Sequence, residues 1–369
     1  MTQTTTMIAE QTLPKGKLPP EDNLLALLAY YDQHLSQDPN SAELWRQRSY
    51  CLARLGRYQE AIDSYQKTLA LIDDDARVWC NYASALAAGG YLNEAVGAYD
   101  RSLDLNPTYT NAWRRRGNVF YCLGKYARAI ESYDQALALS STDSRLWYGK
   151  GLATYQLQQV DQAIQYFKIA IENNTDNPEP YRSLIYALIC QKRHDEALQY
   201  IEPLMKKGCN DAYLHRCYGY LLQQRGNVKG ALQQVQQAIC LEPENADVWF
   251  RLGLTLTRLR NYSEAHNAFR EALKRQAYHA DGWLALGMIL RKLSAYEDAI
   301  AAFDKALAIA PNHPLAFFHQ ACCHASLGRP DWALEHLRRA ISLDAKTYVR
   351  KAEREPALSE LKARSAVAY

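Results

Sequence analysis

In the stretch NAWRRRGNVFYCLG, Arg114 and Arg115 stand side by side, and Asn118 follows Arg114 by four residues. A guanidinium fork pairs with a carboxylate through two parallel N–H donors, and a carboxamide adds a further donor and acceptor. The chemistry open to this set is binding of an anionic group. More arginines recur along the chain at Arg46, Arg54, Arg145, Arg182, Arg216, Arg251, Arg258 and Arg291. Tyrosines are interleaved with them at Tyr50, Tyr121, Tyr148, Tyr155, Tyr186 and Tyr220. Tyrosine offers flat apolar area with a polar tip at low entropic cost, which suits the holding of peptides.

A regular series of elements must position these side chains. Aromatic residues stand at Trp45, Trp79, Trp113, Trp147, Tyr181, Trp249, Trp283 and Phe317, spaced by 34 residues, with His215 in the one gap. Alanines at 61, 95, 129, 163, 197, 231, 265, 299 and 333 keep the same interval. Nine units of 34 residues therefore run over 42–347. Within each unit, apolar or small residues fall at positions 4, 8 and 11, then 20, 24 and 27, which makes apolar stripes on two successive helices. Gly56, Gly90, Gly124, Gly226 and Gly328 at position 15 suit the break between them, and Pro107, Pro243 and Pro311 at position 32 close the second helix.

This pattern resembles the tetratricopeptide repeat (TPR) family, whose unit has the same length and the same Trp, Gly, Tyr and Ala positions. The segment TNAWRRRGNVFYCLGKYARAIESYDQALAL holds Trp113, Gly117, Phe120, Ala129, Tyr133 and Ala136 in that register. The resemblance implies an all-α solenoid, a right-handed superhelix of antiparallel helical hairpins. Small residues at positions 8 and 20 would let the paired helices approach, with the ring at position 4 filling space beside them. It further implies that positions 2, 5, 6, 9, 12 and 13 of the first helices line a concave groove that holds extended peptides. At positions 5, 6, 9, 12 and 13 there are ten basic residues and no acid. The only acids of the stripe are Glu43, Glu179, Asp247 and Asp281 at position 2, where the helix dipole favours negative charge by itself.

A subgroup of the family grips C-terminal carboxylates with Lys at 5 and Asn at 9, then Asn at 6, then Lys at 2 and Arg at 6. This chain offers Arg46, Tyr50, Asn81, Asn111 and Arg115 at those places. Asn81 and Arg115 match and Arg46 keeps the charge, while Tyr50 and Asn111 depart. Arg114 with Asn118 makes another 5/9 pair, but Gly149 does not continue it. A looser carboxylate or acidic-segment site near Arg46, Asn81, Arg114, Arg115 and Asn118 is the better expectation. The wider groove would include Tyr50, Tyr121, Arg145, Tyr148, Arg182, Tyr186, Arg216, Tyr220 and Arg251. Arg116, at position 7, is instead expected to lay its stem along the adjoining hairpin, as Arg48 and Lys150 would.

Other functions fit less well. Phosphate-loop, dinucleotide, zinc-protease and serine-hydrolase motifs are missing, and the histidines scatter over unrelated repeat positions, so no catalysis, cofactor or metal is expected. Nine cysteines without a C-x-x-C pair suit reduced, packed thiols. A net charge of +3 argues against nucleic acid, and no run is apolar enough to insert in a membrane. A cytoplasmic location follows as the expectation. Residues 1–20 are expected to be disordered, 21–41 to form a capping half-repeat, and 348–369 a capping helix and tail. Repeats five and six, 178–245, lose the pattern at Ile185, Ile201, His215 and Val235, and Pro203 should kink or end its helix, so a joint is expected there. The chain thus reads as a scaffold or adaptor for an acidic or carboxylate-bearing peptide. The alternative is a structural or assembly-factor subunit, or a self-assembling scaffold. Its repeat style resembles bacterial, especially cyanobacterial, members of the family, which would point to photosynthetic-complex assembly.

Overall fold

The structure, a computed structural model, describes residues 21–358; the expectations for 1–20 and for the tail after 358 fall outside them. Among the described residues there are twenty α-helices, one short 3-10 turn and no strand. The first helix of each repeat opens at position 1: Ala42–Arg54, Ala76–Ala88, Thr110–Cys122, Ser144–Gln156, Pro178–Cys190, Ala212–Gln224, Ala246–Arg258, Ala280–Lys292 and Pro314–Ser326. The second opens at position 17: Tyr58–Leu71, Leu92–Leu105, Tyr126–Leu139, Val160–Asn173, His194–Lys206, Val228–Leu241, Tyr262–Arg275, Tyr296–Ile309 and Pro330–Leu343. Helix Glu21–Gln37 precedes them, and helix Ala345–Arg354 with the turn Pro356–Leu358 follows.

The break in each hairpin is made the same way. Position 15 is left-handed in all nine repeats: the five glycines there have φ between 69° and 89°, and Gln158, Lys192, Arg260 and Ser294 fill the other four slots at 59–64°. Only glycine adopts this conformation without a Cβ clash, so the last four carry local strain.

Packing differs from the expectation in which ring is deepest. The rings at position 24, namely Tyr65, Tyr99, Tyr133, Phe167, Phe269 and Phe303, are among the largest fully buried side chains, whereas the position-4 tryptophans are only half-buried. In repeats three, four, seven and eight a glycine at position 8 accounts for this. A Cβ added at Gly253 would stand 2.5 Å from the Phe269 ring, and one at Gly287 equally close to Phe303, so the missing side chain is the space the ring occupies. Tyr133 is held from two sides, since a Cβ on either Gly117 or Gly149 would come within 2.7 Å of it.

The tryptophans act at the edges of the core. Trp45, Trp79, Trp113, Trp147, Trp249 and Trp283 each donate their indole N–H to the carbonyl six residues earlier, at 2.7–2.9 Å. That carbonyl belongs to the end of the preceding hairpin. In the gap, His215 Nε2 lies 3.0 Å from the Cys209 carbonyl, so the imidazole occupies the same place.

The chain divides into two compact units, 1–187 and 188–369. In the first, Leu24, Leu28 and Leu35 of helix Glu21–Gln37 are buried, and Leu28 joins a core that continues through Leu52, Tyr65, Tyr99 and Val119. In the second, a core around Phe269, Phe303 and Cys323 adjoins one built on Phe318, Leu337, Tyr348 and Leu358. Helix His194–Lys206 runs past Pro203 and closes one residue earlier than its counterparts, with Gly208 left-handed just beyond. Pro203 therefore does not end the helix, although its ring nitrogen provides no donor to the turn below.

Gly253→Ala is expected to cost about 1–3 kcal/mol through overpacking against Phe269. In a chemical-denaturation double-mutant cycle with Phe269→Leu, the two losses should sum to more than the double variant shows.

Candidate functional site

The residues that come together lie where repeats two, three and four meet, within the first unit. Arg114, Arg115 and Asn118 occupy one face of helix Thr110–Cys122, and Ser84 stands at position 9 of the preceding first helix. Arg115 Nη1 crosses to Ser84 Oγ at 2.5 Å. Ser84 Oγ also lies 2.8 Å from the Cys80 carbonyl and 2.9 Å from Tyr99 Oη. Tyr133 Oη donates to Asn118 Oδ1 at 2.8 Å, which leaves the Asn118 amide nitrogen as the donor still available.

Both arginines were expected to line an open groove. They are instead 6% and 5% exposed, with Asn118 at 7%. The stem of Arg115 spans the seam between repeats to reach Ser84, and Arg114 is enclosed near the Tyr99 and Tyr133 rings. Among the described residues no carboxylate reaches either guanidinium within salt-bridge distance, and the Nε of each is buried without a hydrogen-bond partner. Burial, and then the like charges of Arg115 and Arg145, hold the Arg114 guanidinium down at about 10 from its ordinary 12.5, with Asp143 acting in the opposite sense. Burial pushes the Tyr99 and Tyr133 phenols well above their usual range, so both hydroxyls stay protonated.

Five further arginines of the stripe are paired with acids, where the count of charges leads to the expectation of an uncompensated basic face. Arg46 forks onto Glu43 at 2.8 and 2.5 Å, Arg145 onto Asp143 at 2.9 and 2.7 Å, and Arg182 reaches Glu179 at 3.1 Å. In the second unit Arg216 faces Asp247 at 3.4 Å and Arg291 faces Glu355 at 3.1 Å, while Arg251 is half-buried near Cys217. The position-2 acids thus serve as partners to the arginines as well as to the helix dipole.

The aromatic candidates are spread out. Tyr50 lies under Arg54 at 5.8 Å, Tyr121 accepts from Gln156 Nε2 at 3.4 Å, and Tyr148 lies 3.2 Å from Ser183 Oγ. Tyr186 is half exposed beside Tyr155, Tyr220 meets His194 edge to face, and Asn81 is half-buried. Arg116 takes the framework role expected of it. Its Nε donates to Asp100 at 2.7 Å and it covers Phe120 at 4.9 Å; Arg48 with Asp32 and Lys150 with Asp134 repeat the pair at 2.6 Å.

Ser84, Tyr99 and Tyr133 escaped the sequence reading, which weighed charge and aromatic area along the stripe but not hydroxyls. A signal was present: position 24 is Tyr in repeats one to three and Phe in repeats four, seven and eight. The histidines are also less scattered than their spacing suggests. His324 and His336 stack with parallel rings 5.1 Å apart, with Trp332 beside them. Among the described residues, no group of three or more His, Cys, Asp or Glu side chains could hold a metal ion. No described helix is long and apolar enough to cross a membrane.

The family model described as Cilia and flagella-associated protein 70 C-terminal domain matches residues 65–282, and two described as Tetratricopeptide repeat match 252–314 and 42–75. No curated protein is similar enough in sequence to match the chain. Of the solved structures, the APC/C hetero-tetramer Cut9-Hcn1 aligns over 93% of this chain and 82% of its own, with 14% identity and a TM-score of 0.50. A tetratricopeptide repeat protein from Parabacteroides merdae ATCC 43184 covers 68% of this chain and 98% of its own at 17% identity and TM-score 0.49. MamA 41-end from Desulfovibrio magneticus RS-1 covers 45% and 93% at 24% identity and TM-score 0.42. Cut9-Hcn1 shares the helical-repeat fold over nearly all of this chain.

Arg114→Met removes a buried charge that has no partner, so the free protein should gain about 1–3 kcal/mol, read as a higher Tm. His319, sandwiched between Phe303 and Phe318, is held down at about 3 from 6.5, first by burial and then by Arg291, Lys351 and Lys292. Its folded value lies below its unfolded one, so its contribution to stability is complete above pH 6.5 and is lost as pH falls toward 3. Between pH 7 and pH 5 the wild type should lose about 1–2 kcal/mol more than His319→Phe, measured by denaturant unfolding.

Proposed function

The chain belongs to the tetratricopeptide repeat proteins, in the family of the cilia and flagella-associated protein 70 C-terminal domain, and from that premise we propose that it is a non-catalytic interaction scaffold. Its ligand is a protein segment that presents a carboxylate to Arg114, Arg115 and Asn118. One observation carries this reading: two adjacent guanidinium groups are buried with no acid to pair them. A buried charge without a partner costs several kcal/mol, and a carboxylate supplied by a ligand would offset that cost at the moment of binding. The available groups are all donors, and an ionised carboxylate is purely an acceptor. Ser84 and the two tyrosine hydroxyls are committed to holding the arginine and amide in place. Their role is to preorganise the donors, which lowers the entropy lost on binding.

The same geometry argues against polyanion gripping. Arg46, Arg145, Arg182, Arg216 and Arg291 already have carboxylate partners, which breaks up the row of cations that would track a nucleic-acid backbone. A second reading, a structural or assembly-factor subunit that associates through the ends of the repeat array, draws support from Leu25, Leu27 and Tyr30. These are 47%, 40% and 51% exposed on helix Glu21–Gln37. Sedimentation velocity over a range of concentrations tests it: growth in mass that Leu25→Glu with Tyr30→Glu abolishes would favour this second reading.

The peptide reading is tested with a fluorescein-labelled glutamate-rich decapeptide, made with a free and with an amidated C-terminus. Binding to the wild type should weaken at least tenfold in Arg114→Met/Arg115→Met, whose helical circular dichroism should be unchanged. A preference for the free acid would assign the site to a terminal carboxylate, and equal binding to side-chain carboxylates. Equal affinity for wild type and double variant would refute the site.

A further inference from the structure

The end of the second unit carries a different observation. Stripe positions 5 and 9 of repeat nine, Phe318 and Cys322, are covered by the chain's own C-terminal segment. Helix Ala345–Arg354 brings Tyr348 to 5.5 Å from Phe318 and then stops. Glu355 continues in an extended conformation, φ −86° and ψ 114°, and its carboxylate accepts from Arg291 Nη1 at 3.1 Å. Three residues later Leu358 is 1% exposed, in one cluster with Phe318, Ala321 and Cys322.

A cap need only cover apolar surface. Helix Glu21–Gln37, at the other end of the chain, covers its neighbour in that way and pairs Asp32 with Arg48, which repeats the framework contact seen between ordinary repeats. The C-terminal segment departs from this plan. Its acid engages an arginine of the ligand-facing stripe, at position 12 of repeat eight, and its leucine fills the apolar surface beside it. Carboxylate on arginine and a buried apolar anchor three residues on, joined by a short turn, are contacts a bound peptide makes.

We propose that Glu355–Leu358 is an intramolecular ligand, occupying a second peptide site that accepts a partner segment of the form Glu-x-x-Leu when the chain's own segment leaves. This site is independent of the one at Arg114 and Arg115. A tethered ligand competes at an effective concentration on the order of millimolar, so a free peptide must displace it and its apparent affinity is lowered in proportion.

The test uses a fluorescein-labelled synthetic peptide KAEREPAL, amidated at its C-terminus, and the full-length protein. Fluorescence polarisation should show at least tenfold tighter binding to Glu355→Ala/Leu358→Ala than to the wild type, with Glu355→Gln alone giving an intermediate gain. Adding Arg291→Gln to the opened variant should abolish that gain. Equal affinity of wild type and opened variant would overturn the proposal, as would tight binding that survives Arg291→Gln. A loss of helical circular dichroism in Glu355→Gln and in the double variant alike would also overturn it, because the segment would then be a structural closure and not an exchangeable ligand.

Discussion

A hydrogen bond from the ring N–H at position 4 to the carbonyl six residues before it, made by six tryptophans, fixes the start of those hairpins against the turn before them. A helical hairpin of this size cannot bury its apolar faces alone and must stack on its neighbours. Stacking through apolar contact is tolerant of sliding, whereas an indole N–H with one acceptor at 2.7–2.9 Å is not. With that register held, position 7 meets position 25 of the preceding unit where both are polar, as Arg116 meets Asp100, Lys150 meets Asp134 and Gln320 meets Asp304. The reach from Arg115 to Ser84 belongs to the same class of contact, because it joins position 6 of one unit to position 9 of the last. His215 shows how strict the demand is: the indole is gone, yet a ring nitrogen still stands at the carbonyl.

The period of 34 and the placement of both helices in each repeat were legible because apolar and turn-forming residues recur without slippage. Which of two recurring rings lies deeper was not, since positions 4 and 24 are equally periodic and the room for the second depends on small residues at position 8, which are glycine in some repeats and Ser49 or Ala83 in others. The charge on the inner stripe was legible as a count but not as a field. Arg46 with Glu43 and Arg182 with Glu179 are pairs three residues apart on one helix, so their neutralisation follows from local spacing. The burial of Arg114 and Arg115 follows from no spacing, because it depends on contact between hairpins, as where Arg115 reaches Ser84.

Stripe arginines in the two units resolve the same electrostatic problem differently. Arg291 finds a carboxylate within its own chain, supplied by a segment that has no repeat pattern. Arg114 and Arg115 do not, and the groups around them are hydroxyls and an amide, which orient cations without discharging them. Burial therefore leaves charge unpaired at the arginine pair and paired at the C-terminal turn. Buried charge of the first kind is retained in proteins only where another molecule completes it or where the fold tolerates the loss.

Tyr133 lies between Gly117 of its own repeat and Gly149 of the next, and its hydroxyl holds Asn118. The ring thus belongs to two repeats at once, so the heritable module is offset from the sequence period. A recombination event that cut between residues 143 and 144 and joined a foreign repeat with a side chain in place of Gly149 would crowd the ring where it now lies and, with it, the amide. Duplication or shuffling of repeat three can preserve the arginine site only if the first turns of repeat four travel with it.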